Sequence, residues 1–386
     1  MATILIIAHT KRGTGFGRIA IGIANALSLK HDVHVIGVGN ARTDEAWAGL
    51  ISDPVDIGCT TAMREWLTAN TADVLLFAGV NTLMAWQAEK VRSDGFSGKI
   101  VAYVPVEGPI ENATRLQGLN SCDAVIAYHS VAAAQLSLVL ETNNISFIYH
   151  GMHATSSAPI ARDQLRRQLL PDAQQHAGKI WILNANRNDN RKCPEITISA
   201  FAEVVKEFPN TLLVMHCNPI RPGVNLYVER DRLGLHNNIL FTKDSIPGFW
   251  TDEQMDNLYA CCEIGVNSAL AEGWGLIAFE HAQKGGAQIM PAHEGLKELW
   301  ANIPVMTGLG EIEAVDAVSS GHRPCQKELT AAMRDLLMDT NYLDEVAQLC
   351  MQHVRQNKFS WENVSKQWQD LIIALTANTP AHIQSL

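Results

Sequence analysis

The chain lacks the cysteine patterns, the excess of positive charge and the long apolar runs by which several classes of protein are recognised. Its eight cysteines are scattered over 386 residues, without a C-x-x-C pair or a Cys/His cluster at zinc spacing, so a disulfide framework and a structural zinc site are disfavoured. Acidic residues outnumber basic ones by 40 to 30, the opposite of the balance usual in proteins that bind nucleic acid through phosphate contacts. No apolar stretch approaches transmembrane length. We therefore expect a cytoplasmic protein without integral membrane contact.

Short apolar runs alternate with amphipathic segments along most of the chain, which is typical of βαβ units and parallel sheets. The strand candidates are "TILIIAH", "DVHVIGVG", "DVLLFAG", "KIVAYVPV", "DAVIAYHS" and "ISFIYHG" in the first half, and "KIWILNANR", "TLLVMHC", "NILFTKD", "IGVNSA" and "AQIMPA" in the second. The alternation is interrupted between about residues 152 and 176, where Ser, Pro and Ala are frequent, and we place a linker there. The pattern predicts two consecutive Rossmann-like α/β domains of similar size.

Ligands of open parallel sheets bind beyond the carboxyl ends of the strands, where loops lead into helices. The first such loop is "HTKRGTGFGRIA", in which Gly13, Gly15 and Gly17 leave the main-chain N–H groups accessible to an anion. A tight packing turn explains these glycines equally well. Trp47, Trp66 and Trp86 of the same domain are expected to pack helices.

The second loop, "NANRNDNRKCPE", places Arg187 and Lys192 on either side of a turn that precedes a helix. Two cations in this position can neutralise a diphosphate. A charged surface turn is the alternative. The nearby Arg162, Arg166 and Arg167 are interpreted as a solvated face beside the linker.

The third loop is "AEGWGLIAFEHAQKGG", residues 271–286, which holds Glu272 in a glycine-rich turn and Glu280 eight positions later in a helix. Glycines there allow main-chain N–H groups to face a ligand at the helix N-terminus, and carboxylates on either side can accept hydrogen bonds from sugar hydroxyls. This arrangement suits a sugar nucleotide, although a chance pair of acids beside a helix start is the alternative. The residues of this loop expected to contact the ligand are Gly273, Trp274, Gly275 and Leu276.

The order of these segments resembles that of retaining glycosyltransferases of family 4. The resemblance covers nearly the whole chain and is carried by "GTGFGRIAIGIANAL", "YHGMH", "NRNDNRK", the run from "ILFTKD" to "GGAQIM", "EGLKEL" and "FSWENVSKQWQDLIIAL". It implies the GT-B fold, in which two Rossmann-like domains with parallel sheets face each other across a cleft. The implied parts are an acceptor-side domain at 1–160, a nucleotide-sugar-binding domain at 175–355 and a terminal helix within 356–386 that crosses back to the first domain.

The resemblance also implies roles toward the donor. Glu272 is expected to face the transferred sugar and Glu280 the ribose. Arg187 and Lys192 are expected to bind the diphosphate, and Gly15 to present its backbone to the donor from the first domain. No D-x-D motif is present, which agrees with metal-independent chemistry in which cations and helix dipoles stabilise the leaving diphosphate. No cofactor is expected, and the donor is left open among UDP-, GDP- and ADP-sugars.

The first domain offers Glu107, in "VAYVPVEGPIEN", as the hypothetical group that orients or deprotonates the acceptor. A loop-ordering acid is the alternative. Three positions depart from the family pattern: Thr14 and Asn186 stand where glycine is usual, and Gln288 where proline is usual.

The implied activity is transfer of a hexose from a nucleotide diphosphate to an acceptor hydroxyl on a glycan, a lipid-linked compound or a small molecule. One alternative is transfer to a modified DNA base, against which the net charge of −10 argues. The other is a non-catalytic sugar-nucleotide sensor or scaffold.

Overall fold

The computed structural model describes residues 1–10, 13–38, 51–53, 60–152, 162–170, 176, 178–222 and 224–377. The chain divides into two compact units. Unit 1 comprises Met1–His153, Ala317–Ser319 and Asn357–Leu386, and unit 2 comprises Ala154–Asp316 and Ser320–Gln356.

Unit 1 contains a parallel sheet of seven strands whose helices follow the strands in alternation. Its elements up to residue 152 are β1 (Thr3–His9), α1 (Gly15–Ser28), β2 (Asp32–Val38), β3 (Ile51–Asp53), α2 (Thr60–Ala69), β4 (Val74–Ala78), α3 (Asn81–Ser93), β5 (Lys99–Val104), a 3-10 helix (Ala113–Ser121), β6 (Ala124–Ala127), α4 (Ser130–Val139) and β7 (Ile145–Phe147). The strand order is β3-β2-β1-β4-β5-β6-β7. The central strands are buried on both faces, as their continuous Val, Ile and Leu content predicts.

Unit 2 contains a six-stranded parallel sheet of order β12-β9-β8-β13-β14-β15. Its elements are α5 (Arg162–Leu169), β8 (Ile180–Asn184), α6 (Pro194–Glu207), β9 (Thr211–Met215), β10 (Ile220–Arg221), β11 (Val224–Asn225), α7 (Leu226–Arg232), β12 (Ile239–Phe241), α8 (Thr242–Ser245), α9 (Asp252–Cys261), β13 (Ile264–Val266), α10 (Leu276–Gln283), β14 (Ala287–Pro291), α11 (Glu294–Trp300), β15 (Val305–Thr307), β16 (Leu309–Ala314), β17 (Ser320–Pro324), α12 (Gln326–Met338) and α13 (Thr340–Val354). When the strands are numbered within each sheet, the order of both sheets begins 3-2-1-4, which is the Rossmann order.

The chain returns to unit 1 through α14 (Trp361–Thr376). Gln369 donates a hydrogen bond to the Ala26 carbonyl at 2.9 Å, which ties α14 to α1. Gly22 of α1 lies so close to Trp361 that an added Cβ would stand 1.8 Å from the indole. Only glycine allows this helix pair to approach so closely.

Within the linker predicted at 152–176, the structure contains the helix α5, which carries a buried arginine side chain. The Arg166 side chain is only 3% exposed and pairs with Glu263 at 2.7 Å. It also donates to the Cys261 carbonyl at 2.7 Å and lies over the Trp181 ring at 4.6 Å. The interpretation of this arginine as part of a solvated face is therefore wrong, because Arg166 anchors α5 to the core of unit 2. Arg167 is exposed as expected.

Candidate functional site

The candidate site of unit 2 lies where its strand order reverses. β8 and β13 are neighbours in the sheet, and the chain continues from β8 toward one edge and from β13 toward the other. Such a switch point leaves a crevice beyond the strand ends, where ligands of doubly wound sheets bind. The loop after β8 carries Arg187 and Lys192, and the loop after β13 carries Glu272, so the topology brings two separate sequence segments together.

Glu272 forms ion pairs with two cations from the other loop. Lys192 Nζ lies 2.7 Å from Glu272 Oε1, and Arg191 Nη1 lies 2.8 Å from Oε2. Asn267 Nδ2 donates to Oε1 at 3.3 Å. The carboxylate is 6% exposed. Burial acts to raise the pKa of Glu272, but the charges and hydrogen bonds of Lys192 and Arg191 outweigh it and lower the pKa to about 2. The carboxylate is therefore ionised at neutral pH.

A buried polar network holds the two loops in register. Asn184 Nδ2 donates to Thr197 Oγ1 at 2.8 Å, and Thr197 Oγ1 donates to Ser268 Oγ at 3.0 Å. The Ser268 hydroxyl in turn lies 2.9 Å from the Lys192 carbonyl, to which it donates. A main-chain bond from Leu270 N to the Arg191 carbonyl at 2.7 Å adds a second link. Because these groups are buried and mutually bonded, they fix the backbone that carries both cations.

The glycine-rich turn shapes the N-terminus of α10. Gly275 is the N-cap residue and has φ +81°, in the left-handed region that disfavours residues with a Cβ. Gly273 is buried and Leu276, the first helical residue, is half-buried. The Trp274 indole is 3% exposed and stacks on Phe279, with ring centroids 5.0 Å apart. The indole therefore packs inside unit 2. The prediction that this loop contacts a ligand now concerns its backbone N–H groups and not the indole.

Glu280 lies one turn into α10 and is half-buried. Tyr259 of α9 donates its hydroxyl hydrogen to Glu280 Oε2 at 2.8 Å. The tyrosine ring is buried and stacks on His281 at 5.9 Å. Glu280 is thus held by a neighbouring helix in a fixed orientation, which a carboxylate that recognises hydroxyl groups requires.

Arg187 lies at the protein surface, whereas Lys192 of the same loop is buried. The Arg187 side chain is 78% exposed and pairs with Asp189 of its own loop at 3.3 Å. The structure therefore brings Lys192 together with Glu272 and leaves Arg187 extended at the surface. Arg191 occupies the inner position instead. Arg191 was not among the residues predicted to bind the diphosphate, although it is the immediate neighbour of Lys192 in the same loop.

The first-domain candidates lie at strand ends of unit 1. Gly15 begins α1, and Thr14 caps that helix by accepting a hydrogen bond from Gly17 N at 3.1 Å. This explains why threonine is suited to a position where glycine is usual. Glu107 follows β5 and is half-buried. Burial raises the pKa of the nearby Tyr128, and the charge of Glu107 adds to that rise.

The other two departures also have structural reasons. Asn186 is buried, and its N–H donates to Asn184 Oδ1 at 3.0 Å within the network below the loop. Gln288 donates from Nε2 to the Gly286 carbonyl at 2.9 Å and lies 3.2 Å from His281 Nδ1. Each residue therefore stabilises the loop or helix next to it.

Several solved structures are similar to this chain in fold. HepE of Anabaena, solved in complex with UDP and glucose, matches with a TM-score of 0.73 at 17% identity, covering 96% of this chain and 99% of that chain. Sucrose-phosphate synthase of Thermosynechococcus elongatus matches with 0.74 at 16%, covering 98% and 100%. A UDP-forming α,α-trehalose-phosphate synthase of Burkholderia xenovorans matches with 0.69 at 13%, covering 99% and 100%. No family model and no curated protein matches the sequence.

These likenesses and the two sheets confirm the predicted α/β fold class, which is the GT-B fold. Within the described part of the chain, no helix combines the length and apolar character needed to cross a bilayer.

Proposed function

We propose that the chain is a retaining, metal-independent glycosyltransferase that moves a hexose from a nucleotide diphosphate to an acceptor hydroxyl. The observation that carries the proposal is the contact of Glu272 with Lys192 and Arg191 at the switch point of unit 2. Similar structures were solved with UDP and with UDP-glucose, and we take a UDP-hexose as the first donor to test.

The two cations suit a diphosphate. Lys192 and Arg191 together carry two positive charges against the single charge of Glu272, and they lie beside the loop that leads into α10. In our proposal the diphosphate competes with Glu272 for both cations, and the N–H groups of the α10 N-terminus bind the same anion. The charge that develops when the bond from the sugar C1 to the phosphate oxygen breaks is then stabilised without a divalent ion.

The two carboxylates suit the neutral parts of the donor. Once the diphosphate binds Lys192 and Arg191, Glu272 retains acceptor capacity that sugar hydroxyls can use. Glu280, oriented by Tyr259, accepts a hydrogen bond from the ribose. Arg187 is proposed as an outer contact to the diphosphate, since its long side chain is free of the core.

Glu107 is proposed to orient or deprotonate the acceptor hydroxyl, whose oxygen forms the new bond to C1. It lies at the carboxyl end of β5, on the edge of the unit 1 sheet where ligands of this architecture bind. If Glu107→Gln retained full transfer activity, this role would be excluded. Gly15 is proposed to present backbone to the donor at the start of α1.

The experiment that tests the proposal measures nucleotide release from UDP-, GDP- and ADP-hexoses in the presence of EDTA. Glu272→Ala and Lys192→Ala are compared with wild type after their folding has been checked by circular dichroism. Glu203→Ala and Lys206→Ala serve as matched controls, because these residues form an ion pair at 2.8 Å on the exposed face of α6 in the same unit.

We expect release from one donor to persist in EDTA, to be lost in both site variants and to be unchanged in both controls. Binding without release in the presence of acceptor extracts would support a sensor instead. Absence of binding would mean that the fold is retained without this chemistry. The stereochemistry is checked by proton NMR, which should show an α-linked product from an α-linked donor.

A further inference from the structure

Outside the site described above, unit 1 contains a surface pocket of about 400 Å³ between α3 and the 3-10 helix Ala113–Ser121. This volume falls within the roughly 300–1,000 Å³ of typical small-molecule sites. One wall carries Thr82, Trp86 and Glu89, which lie three or four positions apart and therefore share one face of α3. Arg115 lines the opposite wall.

The two walls are fixed to each other. A Cβ on Gly118 would lie 2.2 Å from the Ala85 carbonyl oxygen, so only glycine permits the two helices to approach this closely. Gln117 Nε2 donates to the Val139 carbonyl at 3.0 Å, and Asn120 donates to Gln117 Oε1 at 2.9 Å. The close contact of Gly118 with Ala85 therefore fixes the two walls of the pocket relative to each other.

The side chains that line the pocket include an aromatic ring, an acid and a base, together with several hydroxyl groups. Trp86 is 47% exposed, contrary to the expectation that it packs between helices; Trp66 is buried as expected, and Trp47 lies outside the described residues. In the part of the chain that the structure describes, Glu89 and Arg115 form no ion pair with each other although they line one pocket. The pocket offers one negative and one positive group, so its charge balances to zero.

We infer that this pocket binds a neutral pyranose unit of the acceptor. The indole face can stack on the apolar C–H face of a sugar ring, while the carboxylate accepts and the guanidinium donates hydrogen bonds to its hydroxyls. A phosphate or another anion gains little where the charges of Glu89 and Arg115 cancel. The inference rests on the proposed function, because it makes the acceptor a glycan of more than one sugar.

The position of the pocket along the chain agrees with this inference. Glu107, proposed to act on the acceptor hydroxyl, and the 3-10 helix belong to the same connection between β5 and β6. The chain from Glu107 to Thr114 spans at most about 25 Å even when fully extended. A short oligosaccharide can therefore contact the pocket with one unit while another unit reaches Glu107.

The test is fluorine NMR of the full chain labelled with fluorotryptophan. The chain has nine tryptophans, and the resonance of Trp86 is assigned by its disappearance in Trp86→Phe. The probes are the methyl pyranosides of glucose, mannose and galactose, their trisaccharides, and inorganic phosphate as an anionic control. We expect at least one neutral sugar to shift the Trp86 resonance saturably.

Glu89→Ala and Arg115→Ala should each weaken that binding by about tenfold, the effect of removing a central contact. No shift with any sugar, a shift with phosphate alone, or a shift that neither substitution changes would overturn the inference.

The same titration on Glu272→Ala separates the two proposals. Glu272 belongs to unit 2 and the pocket to unit 1, so sugar binding at Trp86 should be retained in this variant. A chain that binds sugar at Trp86 but releases no nucleotide from any donor would retain the pocket and refute the proposed function. A chain that releases nucleotide from a donor without a response at Trp86 would retain the proposed function and refute the sugar-binding pocket.

Discussion

Replacing Glu272 by glutamine is expected to destabilise the protein before any ligand is present. The substitution preserves the size of the side chain but removes the negative charge that Lys192 and Arg191 share. The Lys192 side chain is buried and Arg191 is largely so. Glu272→Gln therefore leaves two neighbouring cations in a poorly solvated site without a counter-charge, and their repulsion acts on the folded state alone.

The magnitude follows from the acid–base equilibrium of Glu272. Although burial acts to raise its pKa, the two cations lower it from 4.5 to about 2. At about 1.36 kcal/mol per pKa unit, this shift corresponds to roughly 3 kcal/mol of unfolding free energy. The value agrees with the roughly 3–5 kcal/mol lost when one member of a buried ion pair is removed.

The loss of unfolding free energy in Glu272→Gln should depend on pH, and the lowered pKa of Glu272 determines the direction. Between pH 4.5 and about 2 the unfolded chain binds more protons at Glu272 than the folded chain does. Stabilisation by the ionised carboxylate is therefore complete above pH 4.5 and is lost as pH falls toward 2. Since glutamine does not titrate, the difference in unfolding free energy between wild type and variant should become smaller as the pH falls over this range.

The assay is urea unfolding followed by circular dichroism at neutral pH and at a series of acidic pH values, with and without UDP. The control is Glu294→Gln, whose carboxylate is 75% exposed and pairs with Lys297 on the surface; it should lose less than about 1 kcal/mol. UDP should restore more stability to Glu272→Gln than to wild type, because its phosphates supply the missing charge. Equal losses in the two variants would refute the reasoning about the buried pair, and an equal effect of UDP would refute the competition between Glu272 and the diphosphate.

Three further substitutions test other parts of the molecule. Gly275→Ala should lower the unfolding free energy by about 1–2 kcal/mol, because alanine is strained in the left-handed region; Gly178→Ala, at an exposed position with space for a Cβ, should not, and equal losses in urea unfolding would contradict the conformational cause. Tyr259→Phe removes the hydrogen bond to Glu280 and should raise the KM for donor about fivefold to thirtyfold with little change in kcat, as expected for about 1–2 kcal/mol of binding energy; an unchanged KM in steady-state assays would exclude this role. Thr14→Ala should cost about 1 kcal/mol through loss of the α1 cap, whereas Thr14→Ser should retain it; thermal unfolding distinguishes the two.

The sheets could be predicted from sequence because strands buried on both faces require continuous apolar runs. "TILIIAH" matches β1 residue for residue, and "AQIMPA" matches β14 except for its last alanine. The short strand β3, whose pairing with β2 is non-local, was not predicted. The 3-10 helix between β5 and β6 was also missed, since its "ATRLQGLNS" has no 3.6-residue apolar period and is formed by packing on α3.

The candidate site could be predicted only in part, because residue type and loop position can be read from sequence but side-chain direction cannot. Arg187 and Lys192 lie in one loop, yet one is exposed and the other buried. The difference arises from the network around Ser268, which holds the Lys192 backbone against the loop after β13. That contact joins residues more than seventy positions apart in the chain. Trp274 faces the core because Phe279, five positions later, provides a stacking partner.

The ion pair explains how a site suited to a diphosphate can remain stable while it is empty. Two cations placed for an anionic ligand would repel each other, and Glu272 neutralises one of the two charges in the absence of ligand. In our proposal the ligand takes over this role and releases the carboxylate for sugar hydroxyls, so stability and donor recognition depend on the same atoms. Loss of activity in a Glu272 variant therefore has two possible causes, unfolding and loss of a sugar contact. They are separated by measuring nucleotide release at a pH and temperature at which urea unfolding shows both wild type and variant to be fully folded.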